Sequence, residues 1–148
     1  MTKNKKTKKT VSTTEKKTVK AAAGSDTLKS VWLFDKLDRD GVFRFDINRD
    51  DFSAKLFLDK MISYSNMTWQ EIKQQTHDNK RSKNHYISAE ELSKEAQNRI
   101  KALHYEEYAD CIFSFAFENM IRIFGIRENE YFHVVWYDPK HEICPVKM

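Results

Sequence analysis

The C-terminal third of the chain constrains the fold most. From Cys111 to Tyr137 the sequence reads CIFSFAFENMIRIFGIRENEYFHVVWY, dense in aromatic and β-branched residues and broken only at Glu118-Asn119 and around Glu128-Asn129. Such residues at alternating positions, punctuated by turn formers, read as strands. Three are expected, over 111–117, 120–126 and 131–137. A three-residue loop at Glu118-Asn119-Met120, with Asn119 in the left-handed region, sets Phe117 opposite Ile121 and Phe115 opposite Ile123. A two-residue turn at Glu128-Asn129 sets Ile126 opposite Tyr131, Phe124 opposite His133 and Arg122 opposite Val135. One face then carries Phe113, Phe115, Phe117, Ile121, Ile123, Phe132, Val134 and Trp136, a continuous core surface for helices to cover. The other carries Ser114, Arg122, Phe124, Tyr131, His133 and Tyr137, a mixed surface suited to a polar, partly planar ligand such as RNA.

The helices precede this sheet. VWLFDKL at 31–37, the turn signal Asp38-Arg39-Asp40-Gly41 and the alternating VFRFDI at 42–47 predict a first strand or a hairpin. Asp50 or Asp51 can cap a helix to Tyr64, with Phe52, Leu56, Phe57, Met61 and Tyr64 as its apolar face. Thr68 and Glu71 form a capping box for a short helix over 69–75. The most polar stretch of the body, 76–85, holds His77, Lys80, Arg81, Lys83 and His85 and reads as a loop. A second capping box, Ser88 with Glu91, opens a helix to Leu103 whose Leu92, Ala96, Ile100 and Leu103 share one stripe. The expected class is α+β, with helices on one face of a small antiparallel sheet that ends in a three-stranded meander.

Charge divides the chain in two. Residues 1–23 carry eight lysines and one glutamate, so a net +7 sits there and −3 on the remainder of the +4 chain. Lysine, threonine, serine and alanine without apolar periodicity cannot bury enough surface to offset ordering entropy. Residues 1–25 are therefore expected to be a disordered tail, and 26–148 a single domain. The tail either aids solubility or contacts nucleic acid or the ribosome. No apolar run suggests a signal peptide or a membrane span, so a cytoplasmic setting with Cys111 and Cys144 reduced is expected. No CxxC, HExxH, EF-hand or glycine-rich phosphate motif is present, and no cofactor or metal is expected.

Strand, helix, helix and a C-terminal meander with arginine in its middle strand resembles the RelE/YoeB-type ribonuclease toxins of toxin–antitoxin systems. The resemblance spans roughly residues 42–141. It rests on Ile121-Arg122-Ile123-Phe124-Gly125-Ile126-Arg127, on Tyr131-Phe132-His133-Val134-Val135-Trp136-Tyr137 and on His141. It implies that Arg122 contacts a scissile phosphate and that Tyr137 or His141 does acid–base chemistry, with a cognate antitoxin as partner. The ending Trp136-Tyr137-Asp138-Pro139-Lys140-His141 is also similar to a wider set of bacterial and mobile-element proteins. The body departs from the toxins in being longer and acidic.

RNA cleavage needs a base for the 2′-hydroxyl, an acid for the leaving oxygen and a cation for the transition state. Arg122, Tyr137, His141 and His85 are the catalytic candidates, and Lys80, Arg81, Lys83, Tyr131 and His133 the RNA-binding ones. Each has a bland alternative. Arg122 is either a phosphate clamp or a surface cation, and His133 either a ligand contact or a cross-strand partner of Phe124. His141, after the Asp138-Pro139 turn, either folds back over the sheet or stays solvated, and the 77–85 cations are either a phosphate grip or an ordinary exposed connection. The whole chain is accordingly an RNA-binding endoribonuclease or a non-catalytic nucleic-acid or protein-binding module.

Overall fold

The computed structural model describes residues 24–145. Five strands form one mixed sheet in the order β1-β5-β4-β3-β2. They are β1 (Val31–Leu33), β2 (His85–Tyr86), β3 (Ile112–Ala116), β4 (Arg122–Glu128) and β5 (Tyr131–Asp138), with helices α1 (Ala54–Ser65), α2 (Trp69–Gln74) and α3 (Lys94–Leu103). The class is α+β and the C-terminal meander is present, but the sheet is not purely antiparallel, because β1 runs parallel to β5 at its edge. Among the described residues no helix is long and apolar enough to cross a membrane.

Local signals account for much of this. Thr68 accepts from the Glu71 amide and Glu71 answers with the Thr68 amide, so the capping box opens α2 as read. Asn119 sits at φ 53°, the Phe117 amide donates to Ile121, and Phe115 faces Ile123, as the three-residue loop requires. The cap of α1 falls later than expected. Ser53 accepts from the Leu56 amide at 3.2 Å, while Asp51 is engaged by Arg49 at 2.8 Å. The Ser88–Glu91 box forms, yet it opens only a 3-10 turn over Ala89–Glu91. Ser93 then caps α3 separately through the Ala96 amide at 3.2 Å.

The helices do not share one face. α1 and α2 bring Phe57, Tyr64, Trp69 and Ile72 onto Phe113, Phe115, Phe117, Ile123, Phe132 and Val134. α3 brings Ala96 and Ile100, with Phe43, Ile87, Leu92 and Ile143, onto Ile112, Phe124, Ile126 and Trp136. The face expected to be a mixed ligand surface is therefore a second core, with Ser114, Phe124 and His133 all buried. The strands are apolar enough on both sides to be covered twice, as in a sheet buried within three layers.

The expected hairpin between 31–37 and 42–47 does not form. After β1 the chain instead runs on beside β5, where the Asp38 amide donates to Val135 and the Tyr137 amide to Phe43. The β4–β5 hairpin turns at Asn129-Glu130, with Glu128 opposite Tyr131 and Ile126 opposite His133. That shift of two leaves the facing unchanged. A β-bulge between Phe124 and Gly125 then makes Val135 an extra residue, so Phe124 meets Trp136. Trp136 thereby leaves the face assigned to it, and Tyr137 takes its place against Phe45 and Phe52.

The chain is ordered before Val31. Ser25–Thr27 form a 3-10 turn with Ser25 buried. Asp26 holds Arg127 at 2.7 Å and Lys73 at 2.6 Å. The tail expected over 1–25 otherwise lies outside the described residues.

Candidate functional site

The first residues of β2 and β4, the 77–83 turn, the 3-10 turn at Glu91 and the segment after β5 make a cleft of about 630 Å³ lined by His77, Asn79, Arg81, Ser82, Lys83, His85, Glu91, Arg122, His141, Cys144 and Pro145. Arg122 begins β4, flanked by Ala116 at the end of β3 and Asp138 at the end of β5. Its guanidinium donates to the Asn119 and Ile121 carbonyls at 2.8 and 2.9 Å. Burial works against its charge and lowers its pKa, which Asp138 and Tyr64 oppose. Asp138 is itself pushed above the ordinary carboxylate range by burial, although the Glu142 and Ile143 amides stabilise its charge.

The polar 76–84 stretch is a built turn rather than a loose connection. Thr76 bridges Ser82, the His77 amide donates to Arg81 and the Lys80 amide returns to His77, both at 2.8 Å. Asn84, fully buried, fastens it to the sheet: its amide nitrogen donates to Ile72 and its oxygen accepts from the Ala116 amide, each at 2.9 Å. This anchoring holds Arg81 and Lys83 at the mouth of the sheet beside His85, which starts β2 opposite Ser114. Among the described residues, none of the Arg81, Lys83 and Arg122 side chains forms an ion pair within 4 Å. His77 registers the resulting field. Burial first, then the charges of Arg122, Lys83 and His85, hold its pKa below the ordinary value, with Asp78 opposing.

His141 reaches the cleft because Asp138-Pro139 turns the chain back. Asp138 accepts the Glu142 and Ile143 amides, His141 takes φ 59°, and Ile143 is buried with its carbonyl accepting from Ser93 at 2.7 Å. The Nδ1 of His141 is buried and has no hydrogen-bond partner among the described residues.

Of the residues singled out from sequence, the cleft unites Arg122, His85, His141, Arg81 and Lys83. Lys80 occupies the turn tip at φ 68° outside the lining. Tyr137 is a correction: the bulge turns it onto the α1 side, where it is 2% exposed and donates to the Asp51 carbonyl at 2.6 Å. Tyr131 and His133 are corrections too. They lie toward the other end of β5, with Tyr131 and Asp138 at its two ends. At about 3.3 Å per residue, His133 is roughly 17 Å along the strand from Asp138. His133 is clamped between Asp35 at 2.6 Å and Glu128 at 3.1 Å.

Sequence reasoning missed His77, Asn79, Ser82, Glu91, Cys144 and Pro145. His77 shares the cationic stretch with His85 and could have been taken with it, whereas Glu91 was hidden by its capping role. Among the described residues no group of three or more His, Cys, Asp or Glu side chains is arranged to hold a metal ion. No protein-family model matches the chain, and neither a curated protein nor a solved structure matches it.

Proposed function

We propose that this protein binds single-stranded RNA in the cleft and cleaves it by acid–base chemistry without a metal. The observation that carries the reading is the cleft itself: three cations that form no ion pair among the described residues lie beside three imidazoles in a space large enough for a nucleotide. Half-buried Arg122, whose charge burial disfavours, gains most from a phosphate. The RelE-like resemblance supports the same reading, since Arg122 lies on the middle strand of the meander.

In the proposed step, an imidazole of His85 or His141 takes the 2′-hydroxyl proton. The 2′-oxygen bonds to phosphorus, and the bond from phosphorus to the 5′-oxygen breaks. The other imidazole protonates that leaving oxygen, giving a 2′,3′-cyclic phosphate and a 5′-hydroxyl. Arg122, with Arg81 and Lys83, stabilises the charge that builds on the phosphoryl oxygens.

The test is incubation of the purified full chain with end-labelled RNA in EDTA, followed by mapping of the product ends. Wild type is expected to release cyclic-phosphate ends. Arg122→Ala should slow this by about 10²–10³-fold, as loss of a transition-state donor does. Intact RNA at stoichiometric protein would end the catalytic reading. Equal RNA affinity of wild type and Arg122→Ala would end the cleft as the binding site.

Binding should also depend on pH, with a sign set by His77. Its pKa is depressed in the protein alone, so a phosphate in the cleft would oppose the Arg122 and Lys83 charges and raise it. Binding then takes up a proton, and affinity grows as pH falls. Between about pH 8 and about pH 6 the affinity for uncleavable 2′-O-methyl RNA is expected to rise about 3–10-fold. The lysines of 1–23 do not titrate in that window and add a constant term. A flat profile by fluorescence anisotropy, or weaker binding on acidification, would contradict the assignment.

A further inference from the structure

The lining of the cleft is rich in donors and holds a single carboxylate. Arg81, Lys83 and Arg122 donate only, the backbone-bonded Asn79 oxygen is occupied by the Arg81 amide at 2.9 Å, and Glu91 is the one carboxylate in the lining. That carboxylate forms no ion pair with the three cations, although it shares their cleft. It is nevertheless held in place. Its Oε1 accepts from the Ser88 amide at 3.2 Å in the capping box, which fixes the side chain and leaves Oε2 without a partner among the described residues.

An ionised carboxylate accepts hydrogen bonds and cannot donate them. Beside a backbone grip of cations, it selects bases by the donors on their exposed edge. Guanine alone presents two adjacent donors there, N1–H and the N2 amino group. Adenine and cytosine set one amino group beside an acceptor nitrogen, which a carboxylate repels, and uracil offers a single N–H between two carbonyls. Unpaired RNA bases are read on this Watson–Crick edge.

Resting on the RNA reading above, we infer that Glu91 is a specificity-determining residue that accepts the N1–H and N2–H of a guanine placed in the cleft. Arg122, Arg81 and Lys83 hold the adjoining phosphates. The residue acts on base choice, not on the phosphoryl step.

The test is fluorescence anisotropy of the full chain with short labelled 2′-O-methyl strands, all adenosine except for one central guanosine, inosine, cytidine or uridine. The guanosine strand should bind about tenfold more tightly than the all-adenosine strand, in the range of a good two-point base contact. Inosine keeps N1–H but lacks the amino group and should fall between them. Glu91→Gln keeps the capping box, since glutamine serves there as well. It should bring the guanosine and adenosine strands within about twofold of each other while removing repulsion for every strand.

Equal binding of all strands by wild type would overturn the inference, as would a guanosine preference that survives Glu91→Gln. The inosine comparison needs no protein variant, so a folding defect cannot disguise the result. Failure of the RNA reading appears elsewhere, as undiminished binding of the all-adenosine strand by Arg122→Ala.

Discussion

Asp38→Ala is expected to remove about 3 kcal/mol of stability, the low end of the cost of deleting one partner of a buried ion pair, because the Arg99 side chain left behind is 24% exposed. Asp38 is fully buried and collects four hydrogen bonds. Arg99 on α3 grips it through Nε at 2.9 Å and Nη2 at 2.8 Å, the two-point geometry that makes arginine–carboxylate pairs strong. The Trp136 indole on β5 donates at 2.9 Å and the Asp40 amide at 3.1 Å. The side chain thus ties three parts of the fold, the 38–45 segment, α3 and β5, on the side of the sheet opposite α1.

Alanine would leave the Trp136 N–H buried without an acceptor and Arg99 without its counter-charge. For a domain whose whole stability is about 5–15 kcal/mol, that is a substantial share. Urea denaturation at neutral pH measures it. Asp38→Asn should lose less, because one oxygen remains to accept, although its amide group must face a donor. A shift below about 1 kcal/mol for Asp38→Ala would mean that the network does not hold this segment.

Gly125→Ala is expected to cost about 3 kcal/mol or more, at the upper end of overpacking penalties. A β-carbon at this position would lie 2.2 Å from the His133 carbonyl oxygen and 2.7 Å from the Phe132 ring. The obstacle is the backbone of the neighbouring strand, which cannot swing aside as a long side chain could. Gly125 sits where the register slips, so relief would require undoing the bulge. Undoing it would return Trp136 and Tyr137 to swapped faces, exposing the Asp38 and Asp51 hydrogen bonds they now make. A thermal melt compared with Gly24→Ala, where nothing lies within 4 Å, separates close packing from the cost of a positive φ at Gly24. Equal small losses in both variants would refute the packing argument.

These two positions also mark where sequence reasoning stopped. The three strands of the meander, the Thr68–Glu71 box and the Asn119 turn were legible because each follows from residues a few places apart. So was the return of the chain after Asp138-Pro139, one of two readings left open there. The facing of Trp136 and Tyr137 was not legible. Period two carries a strand's facing forward only while no residue is inserted, and the bulge at Gly125 inserts one. For the same reason, Tyr137 was assigned to a site that it cannot reach.

The second error was larger in consequence. Ser114, Phe124, His133 and Arg122 read as an open mixed face, because serine, histidine and arginine lower the apparent apolarity of alternate positions. Whether such a face is wet depends on what covers it. Ile87, Ala96, Ile100 and Ile143, all distant in sequence from the strands they cover or brought back by a turn, bury the middle of it and leave the Arg122 end open to the cleft and Tyr131 exposed at the other end.

By itself, the sequence determined what short-range chemistry determines: periods, caps, turns, the lysine-rich charge of residues 1–23 and the meander with arginine in its middle strand. Tertiary structure alone decided that the sheet is covered on both faces, and that the 77–85 turn, Arg122 and His141 open into one cleft. Those outcomes rest on contacts between residues far apart in the chain, whose free energy exists only once the layers have packed.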